Sequence, residues 1–321
     1  MAYKQLTLYQ RYRLKAYMQA GFSIPQISKE LKVQKTTLYR EIKRNTGGRG
    51  YRPKQADMKT QERRRNSRKH KRLTTDVRVR IIYLLRLDLS PEQISGYLKK
   101  EHDIHISHET IYQFVLTDKA TGGDLYKHLR HASKKRRKRY GSNDKRGQIP
   151  NRVSIDERPE IVNLKERIGD WETDTVIGKN HKGALVTAVE RKTKFTCIRY
   201  VPNKQADVVA KTLVDMLRPY KKNVLTITTD NGKEFSHHEK ISQALTANIY
   251  FAHPYHSWER GLNENTNGLI RQYFPKNYLF KNITEKDVIH VQNRLNMRPR
   301  KSLNFKTPNE EFLKIKVALG T

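Results

Sequence analysis

Three acidic side chains in the back half of this 321-residue sequence stand where metal-assisted chemistry could use them. Asp174 lies inside "GDWETDTVIG" (169–178), which reads as a strand, and Asp230 closes "VLTITTD" (224–230), a second strand that runs straight into the turn signal Asp-Asn-Gly. Glu264 sits in "RGLNENTNGLIRQYFP" (260–275), where three asparagines surround one carboxylate and apolar residues then recur at helical intervals. On a helical wheel Leu262, Thr266, Leu269, Ile270 and Tyr273 form one side, while Arg260, Glu264, Asn267 and Arg271 form the other. Glu264 is therefore expected to project from a helix whose far side is packed, with two arginines beside it. Glu259 falls nearer the packed side and is the poorer candidate.

Carboxylates on two neighbouring strands and one helix can converge, and rigid elements hold them better than loops would. That set suits Mg²⁺-dependent phosphodiester cleavage. Hard oxygen ligands hold two ions per site, about 4 Å apart, one activating the attacking oxygen and one steadying the leaving oxygen. Mn²⁺ is expected to substitute, and Arg260 and Arg271 would take the phosphate oxygens. The competing reading of any single acid is a solvated surface residue, and it weighs most on Asp174, which shares its strand face with Glu172 and Asp170.

The elements that must position these acids follow a recognisable order. Two further strand patterns, "GALVTAVERKT" (183–193) and "FTCIRYVP" (195–202), precede a helix at 204–220 with Val208, Leu213 and Leu217 facing inward. After the Asp230 strand come a helix, "HEKISQALT", and a short strand, "NIYFA". Three consecutive strands, then helix and strand in alternation, predict an α/β ribonuclease-H-like domain with a mixed five-stranded sheet flanked by helices.

The front half is a different kind of chain. Residues 1–150 hold 37 of the 66 Lys and Arg but only 13 of the 32 Asp and Glu, within a formal net charge of +34, so a polyanion is the natural partner. It also carries an internal repeat: "SIPQISKEL" (23–31) matches "SPEQISGYL" (90–98), and "TTLYREI" (36–42) matches "ETIYQFV" (109–115). Each copy opens with a serine N-cap, a proline in the first turn and a glutamine in the capping-box position. Each therefore reads as helix, turn, helix, the arrangement that presents a recognition helix to a DNA major groove. Base contact is expected from Gln34, Lys35, Thr36 and Arg40 in the first copy and from His108, Glu109 and Thr110 in the second. The histidines at 102, 105 and 108 have no cysteine or carboxylate cluster beside them, so they read as surface or DNA-facing groups, not metal ligands.

These patterns divide the chain into a first helix-turn-helix unit (1–48), a basic linker (49–72), a second unit (73–130), a second basic linker (131–152) and the ribonuclease-H-like domain (153–321). The two basic stretches, "QERRRNSRKHKR" and "SKKRRKRYGSNDKRG", have few apolar residues to fold around. A single cysteine, Cys197, excludes an internal disulfide and a thiolate zinc cluster and suits a reduced compartment. With no apolar run of membrane-spanning length, the expected place is the bacterial cytoplasm, in association with the nucleoid.

Taken together, "GDWETDTVIG", "TTDNGKEF", "HPYHSWERGLNENTNGLIRQYFPK" and the closing "VQNRLNMRPRKSLNFKTPNEEF" resemble the DDE transposases of the insertion-sequence-30 family over essentially the whole chain. The third block is the most specific. The 33 residues between Asp230 and Glu264 fit the family spacing, and Ser257 stands where the family has a proline before the tryptophan. The resemblance implies the catalytic triad Asp174, Asp230 and Glu264 and a transposase that binds the terminal inverted repeats of its own element. It implies Mg²⁺-dependent hydrolysis at the element end, transfer of the freed 3′-hydroxyl to target DNA, and pairing of ends by at least a dimer. End recognition would fall to the second helical unit and an accessory role to the first. Two other readings keep part of this pattern: a DNA-binding regulator whose ribonuclease-H-like half serves only oligomerisation, and a nuclease, which has no need of tandem recognition units.

Overall fold

The computed structural model describes residues 5–66, 73–130, 149–254 and 256–314. Contacts divide the chain into two compact units, one within Met1–Lys71 and the other within Arg72–Thr321.

The first unit holds α1 (Leu8–Gln19), α2 (Ile24–Leu31), α3 (Lys35–Asn45) and α4 (Pro53–Asn66). Leu14, Ile27, Leu31, Leu38 and Ala56 form its core. A small core needs further ties, and Arg11 supplies one: only 2% exposed, it places Nε 2.7 Å from Glu41 of α3 and Nη1 2.6 Å from Asp57 of α4. Helix α4 lies in the stretch expected to be a linker. It is helical because Ala56 is buried against the core and Asp57 meets Arg11, while Arg64 and Arg65 stay exposed. Residues 67–72 and 131–148 lie outside the described residues, whereas Ile149, near the end of the second expected linker, is buried in the core of the sheet domain.

The second helical repeat, α5 (Thr75–Arg86), α6 (Pro91–His102) and α7 (His108–Ala120), repeats the local chemistry of the first. The Ser23 amide donates to Gln26 Oε1 at 2.8 Å, and the Ser90 amide to Gln93 Oε1 at 2.9 Å. The matched serines behave alike: Ser28 Oγ donates to the Val33 carbonyl at 2.7 Å and Ser95 Oγ to the Ile106 carbonyl at 2.6 Å, tying each helix to the turn that follows it.

After a short turn of helix, α8 (Ile161–Leu164), come β1 (Asp170–Ile177), β2 (Ala184–Glu190), β3 (Thr196–Val201), α9 (Ala206–Leu217), β4 (Thr226–Thr229), α10 (His238–Leu245), β5 (Asn248–Phe251), α11 (Gly261–Tyr273), α12 (Glu285–Asn296) and α13 (Pro308–Leu313). The sheet order is β3-β2-β1-β4-β5, antiparallel across β3, β2 and β1 and parallel across β1, β4 and β5. One face packs under α9, α10 and α13 around Trp171, Leu213 and Phe312, with Phe312 stacked on Phe195 at 4.3 Å. The other packs under α11 and α12 around Val176, Leu185, Ile270 and Leu295. In α9 the buried stripe is Val209, Leu213 and Leu217, and Val208, expected inward, is only partly covered. The second helical repeat meets this domain directly: Tyr273 Oη donates to Asp88 Oδ2 at 2.9 Å, and Lys301 pairs with Glu92 at 2.7 Å.

Arg11→Met leaves Glu41 and Asp57 without their shared cation, which should cost about 3 kcal/mol. Hydrogen exchange on the full chain should then show amides of α1–α4 exchanging on the order of a hundredfold faster, with β1 and β2 unchanged. Uniform protection would contradict the role assigned to Arg11.

Candidate active site

Successive side chains of a strand point to opposite faces, so Asp170, Glu172 and Asp174 line the α11 face of β1 while Trp171 enters the opposite core. A row of carboxylates on a central strand must be compensated one by one. Asp170, fully buried, accepts two bonds of 2.9 Å from Arg167 and one of 2.7 Å from Thr226 Oγ1. Glu172, 1% exposed, accepts from Arg191 Nη1 at 2.9 Å and, through its other oxygen, from the backbone amide of Asn263 at 3.0 Å. Both are structural, and Glu172 also positions: its second bond satisfies an otherwise unpaired amide in the first turn of α11 and fixes where that helix begins.

Asp174 is compensated differently. Oδ1 accepts from the Thr175 amide at 2.8 Å and Oδ2 from Asn267 Nδ2 at 2.8 Å, and Arg260 Nη1 stands 3.5 Å from Oδ2. The parallel register that pairs Glu172 with Thr228 carries on to set Asp174 beside Asp230 just past the end of β4. Arg260 Nη2 is likewise 3.5 Å from Asp230 Oδ2, so one guanidinium faces both acids. Burial pushes Asp174 up to about 6; Arg260 draws it back down and the neighbouring Asp230 raises it again.

Glu264 is exposed in the first turn of α11, four residues after Arg260 and three before Asn267, the two residues of this segment that reach Asp174. Residues at those spacings share a helix face, so Glu264 belongs to the face turned toward the aspartates. The structure thus brings Asp174 and Asp230 together through Arg260 and sets Glu264 on the adjoining helix face. Beside them, Gly232 donates its amide to Asp230 Oδ1 at 3.0 Å, and a Cβ there would come within 2.6 Å of Glu234 Oε2. Glu234 is held by Lys204 at 2.6 Å and Thr175 Oγ1 at 2.9 Å, and these bonds bring its carboxyl below its ordinary value despite burial.

The other expected contacts distribute unevenly. Arg271 donates to the Ile177 carbonyl at 2.6 Å and lies over the Phe280 ring, bracing α11 against β1. Glu259 accepts from the amide of His253 at 2.8 Å and faces His253 Nδ1 at 2.8 Å and His256 Nδ1 at 3.3 Å. Trp258, beside them, is 69% exposed and lies against His256. Gln34, Lys35, Thr36 and Arg40 are all exposed around the start of α3. At the start of α7, His108 and Glu109 are exposed, whereas Thr110 is half-buried and its amide and hydroxyl are taken up by Ser107. Sequence reasoning missed Asn267 as a ligand of Asp174 and Glu172 as the anchor of α11. The alternation of acids in "DWETD" was the available signal for Glu172, and the place of Asn267 on the Glu264 side of the helical wheel was the signal for Asn267.

The site sits within a chain of known kind. A profile described as a helix-turn-helix domain matches residues 2–45, an integrase core domain matches 165–257 and a homeodomain-like domain matches 37–115. The chain is 49% identical over 314 residues to the transposase for insertion sequence element IS4351 of Bacteroides fragilis, covering 97% of this chain and 96% of that one. It is 34% identical over 323 residues to transposase InsI for insertion sequence element IS30C of Escherichia coli, covering 96% and 83%. The chain belongs to the insertion-sequence-30 family of transposases. Helix-turn-helix units precede an integrase core of ribonuclease-H-like fold, and the integrase match stops short of Glu264. Among solved structures, the catalytic core domain of BIV integrase is 22% identical, with a TM-score of 0.36 over 45% of this chain and 93% of that one. No helix among the described residues of the transposase is long and apolar enough to cross a membrane.

The raised pKa of Asp174 has a defined consequence for stability. A carboxyl that folding shifts from 3.8 to about 6 costs nothing below the lower value; its cost builds as pH rises between the two and is complete above the higher one. With about a fifth of the side chain still exposed, Asp174→Asn should stabilise the metal-free transposase by on the order of 1–3 kcal/mol near pH 8. Melting in chelator across pH should show that gain shrinking toward about pH 4, and a gain independent of pH would contradict the assignment.

Proposed function

We propose that this transposase binds the terminal inverted repeats of its element and catalyses Mg²⁺-dependent strand cleavage followed by strand transfer, with Asp174, Asp230 and Glu264 as the catalytic, metal-holding residues. The observation that carries this reading is the meeting of Asp174 and Asp230 on one guanidinium, beside the helix face that bears Glu264. The donor set fits the metal. Its ligands are hard carboxylate oxygens, and the two aspartates already share a cationic partner because close like charges in a partly desolvated place require one. When bound, Mg²⁺ would supply charge neutralisation and activation of the attacking oxygen, and Mn²⁺ would serve the same donors.

The protein's own contribution is positioning. Asn267 orients Asp174, Glu172 fixes the start of the helix carrying Glu264, and Gly232 leaves room between Asp230 and Glu234. Arg260 stands beside the acids as the group placed to meet a phosphate oxygen, and exposed Trp258 offers a ring on which a distorted base could stack. Gln34, Lys35, Thr36 and Arg40, with His108, Glu109 and Thr110, are the proposed base-edge contacts of the two helical units, and the DNA ends would be paired by at least a dimer.

Purified transposase with Mg²⁺ and a labelled duplex carrying the element end should nick at the end, and Asp230→Ala, Asp174→Ala or Glu264→Ala should each reduce nicking by at least about a thousandfold while leaving DNA binding intact. Binding without nicking in the unmodified chain would identify a regulator, and cleavage indifferent to sequence a general nuclease.

A further inference from the structure

Away from the acids, α11, the segment after α12 and the end of the second helical repeat enclose a group of arginines. Arg298 is 3% exposed; its Nη2 donates to Gln272 Oε1 at 3.3 Å and to the Tyr273 hydroxyl, and its Nε is buried with no partner. Arg300 donates Nη2 to the Leu295 carbonyl at 3.1 Å, and its Nε is likewise buried and unpartnered. Arg130, exposed at the rim, donates Nη2 to Asn265 Oδ1 at 3.2 Å. All these acceptors are neutral. Asp88 reaches Arg298 only through the Tyr273 hydroxyl, and it is shared with His128 Nδ1 at 3.1 Å.

Buried charge without a counter-ion is costly, and like charges gathered together add to the cost. Burial pushes Arg300 down to about 10, and Arg298 and Arg130 push the same way, yet the group stays protonated at neutral pH. Among the described residues, the other two arginines as buried as Arg298 each meet a carboxylate: Arg11 meets Glu41 and Arg191 meets Glu172. Here the backbone is held rigid without one: Pro299 separates the two arginines, and the Arg300 amide donates to the Lys306 carbonyl at 2.9 Å. Planar guanidinium groups held rigid, with donors to spare and one of them exposed, are suited to a phosphate.

We infer that Arg130, Arg298 and Arg300 form a binding site for a backbone phosphate of bound DNA. The inference rests on the proposed function, since it takes DNA as the ligand. Asn265 and Gln272 at this site flank Asn267 of the catalytic face on one helix, so a strand held here would be set in register against the acids.

The test uses the full chain in chelator, so that cleavage plays no part, with an element-end duplex and a scrambled duplex of equal length. Arg300→Gln and Arg130→Gln should each weaken binding of both duplexes about tenfold and reduce the salt slope by about one. A single neutral methylphosphonate in the end duplex should weaken the unmodified chain to a similar degree and have no further effect on Arg300→Gln. Without DNA, Arg300→Gln should melt no lower than the unmodified chain, because it removes an uncompensated charge. Unchanged affinity and slope, or lower melting with weaker binding in Arg300→Gln and no change in Arg130→Gln, would overturn the site. Stabilisation by inorganic phosphate at constant ionic strength, lost in Arg300→Gln while DNA binding is unaffected, would assign it to free phosphate and overturn the DNA reading. Failure of the unmodified chain to prefer the end duplex would count against the proposed function alone, because a phosphate contact does not depend on sequence.

Discussion

The structure turns on the problem of placing three carboxylates along one face of a central strand. Water cannot reach the first two, so each must find a cation or donor inside the protein. Asp170 takes Arg167 and Thr226, and Glu172 takes Arg191 and the Asn263 amide. Because the Glu172 bond runs to the start of α11, the solution to a burial problem also sets the position of the helix that carries Glu264. The third carboxylate is left partly exposed and partly desolvated, beside Asp230, sharing an arginine. That combination sets it apart from the two fully compensated carboxylates.

The same compensation principle sorts the cations of a chain with a formal net charge of +34. Arg11 and Arg191 each meet a carboxylate and hold elements together. Arg260 is engaged with two acids at 3.5 Å, a looser contact. Among the described residues Arg298 and Arg300 have only neutral partners. A strongly basic protein can solvate most of its charge at the surface. The informative arginines are the buried ones, and what each lacks indicates what it could bind.

The helical repeats show how little tertiary information a short motif needs. Serine caps, a proline in the first turn and a glutamine three residues on are satisfied within one turn of chain, so they read alike in both copies and fold alike in both. The matched serines then close each turn onto a backbone carbonyl. The stretch at 53–66 behaves differently. Its charge suggested a linker, yet Ala56 and Asp57 find partners on α1 and α3 that composition cannot reveal.

The amino-acid sequence by itself determined the five strands and the two helical repeats and picked out Asp174, Asp230 and Glu264 as candidate acids, because strand alternation, helical periodicity and capping are local and repeat at fixed intervals. It did not determine which acid of "DWETD" would be structural. Glu172 is settled by an amide 91 residues away, and Asp174 by Asn267 and Arg260 on a helix that the chain reaches only after completing the sheet. Nor could it show that α9 packs on Val209 in place of Val208, or that Arg298 and Arg300 would be enclosed beside Arg130. Those outcomes depend on which distant residues become neighbours, and only packing decides that, since burial changes the worth of a charge more than its identity does.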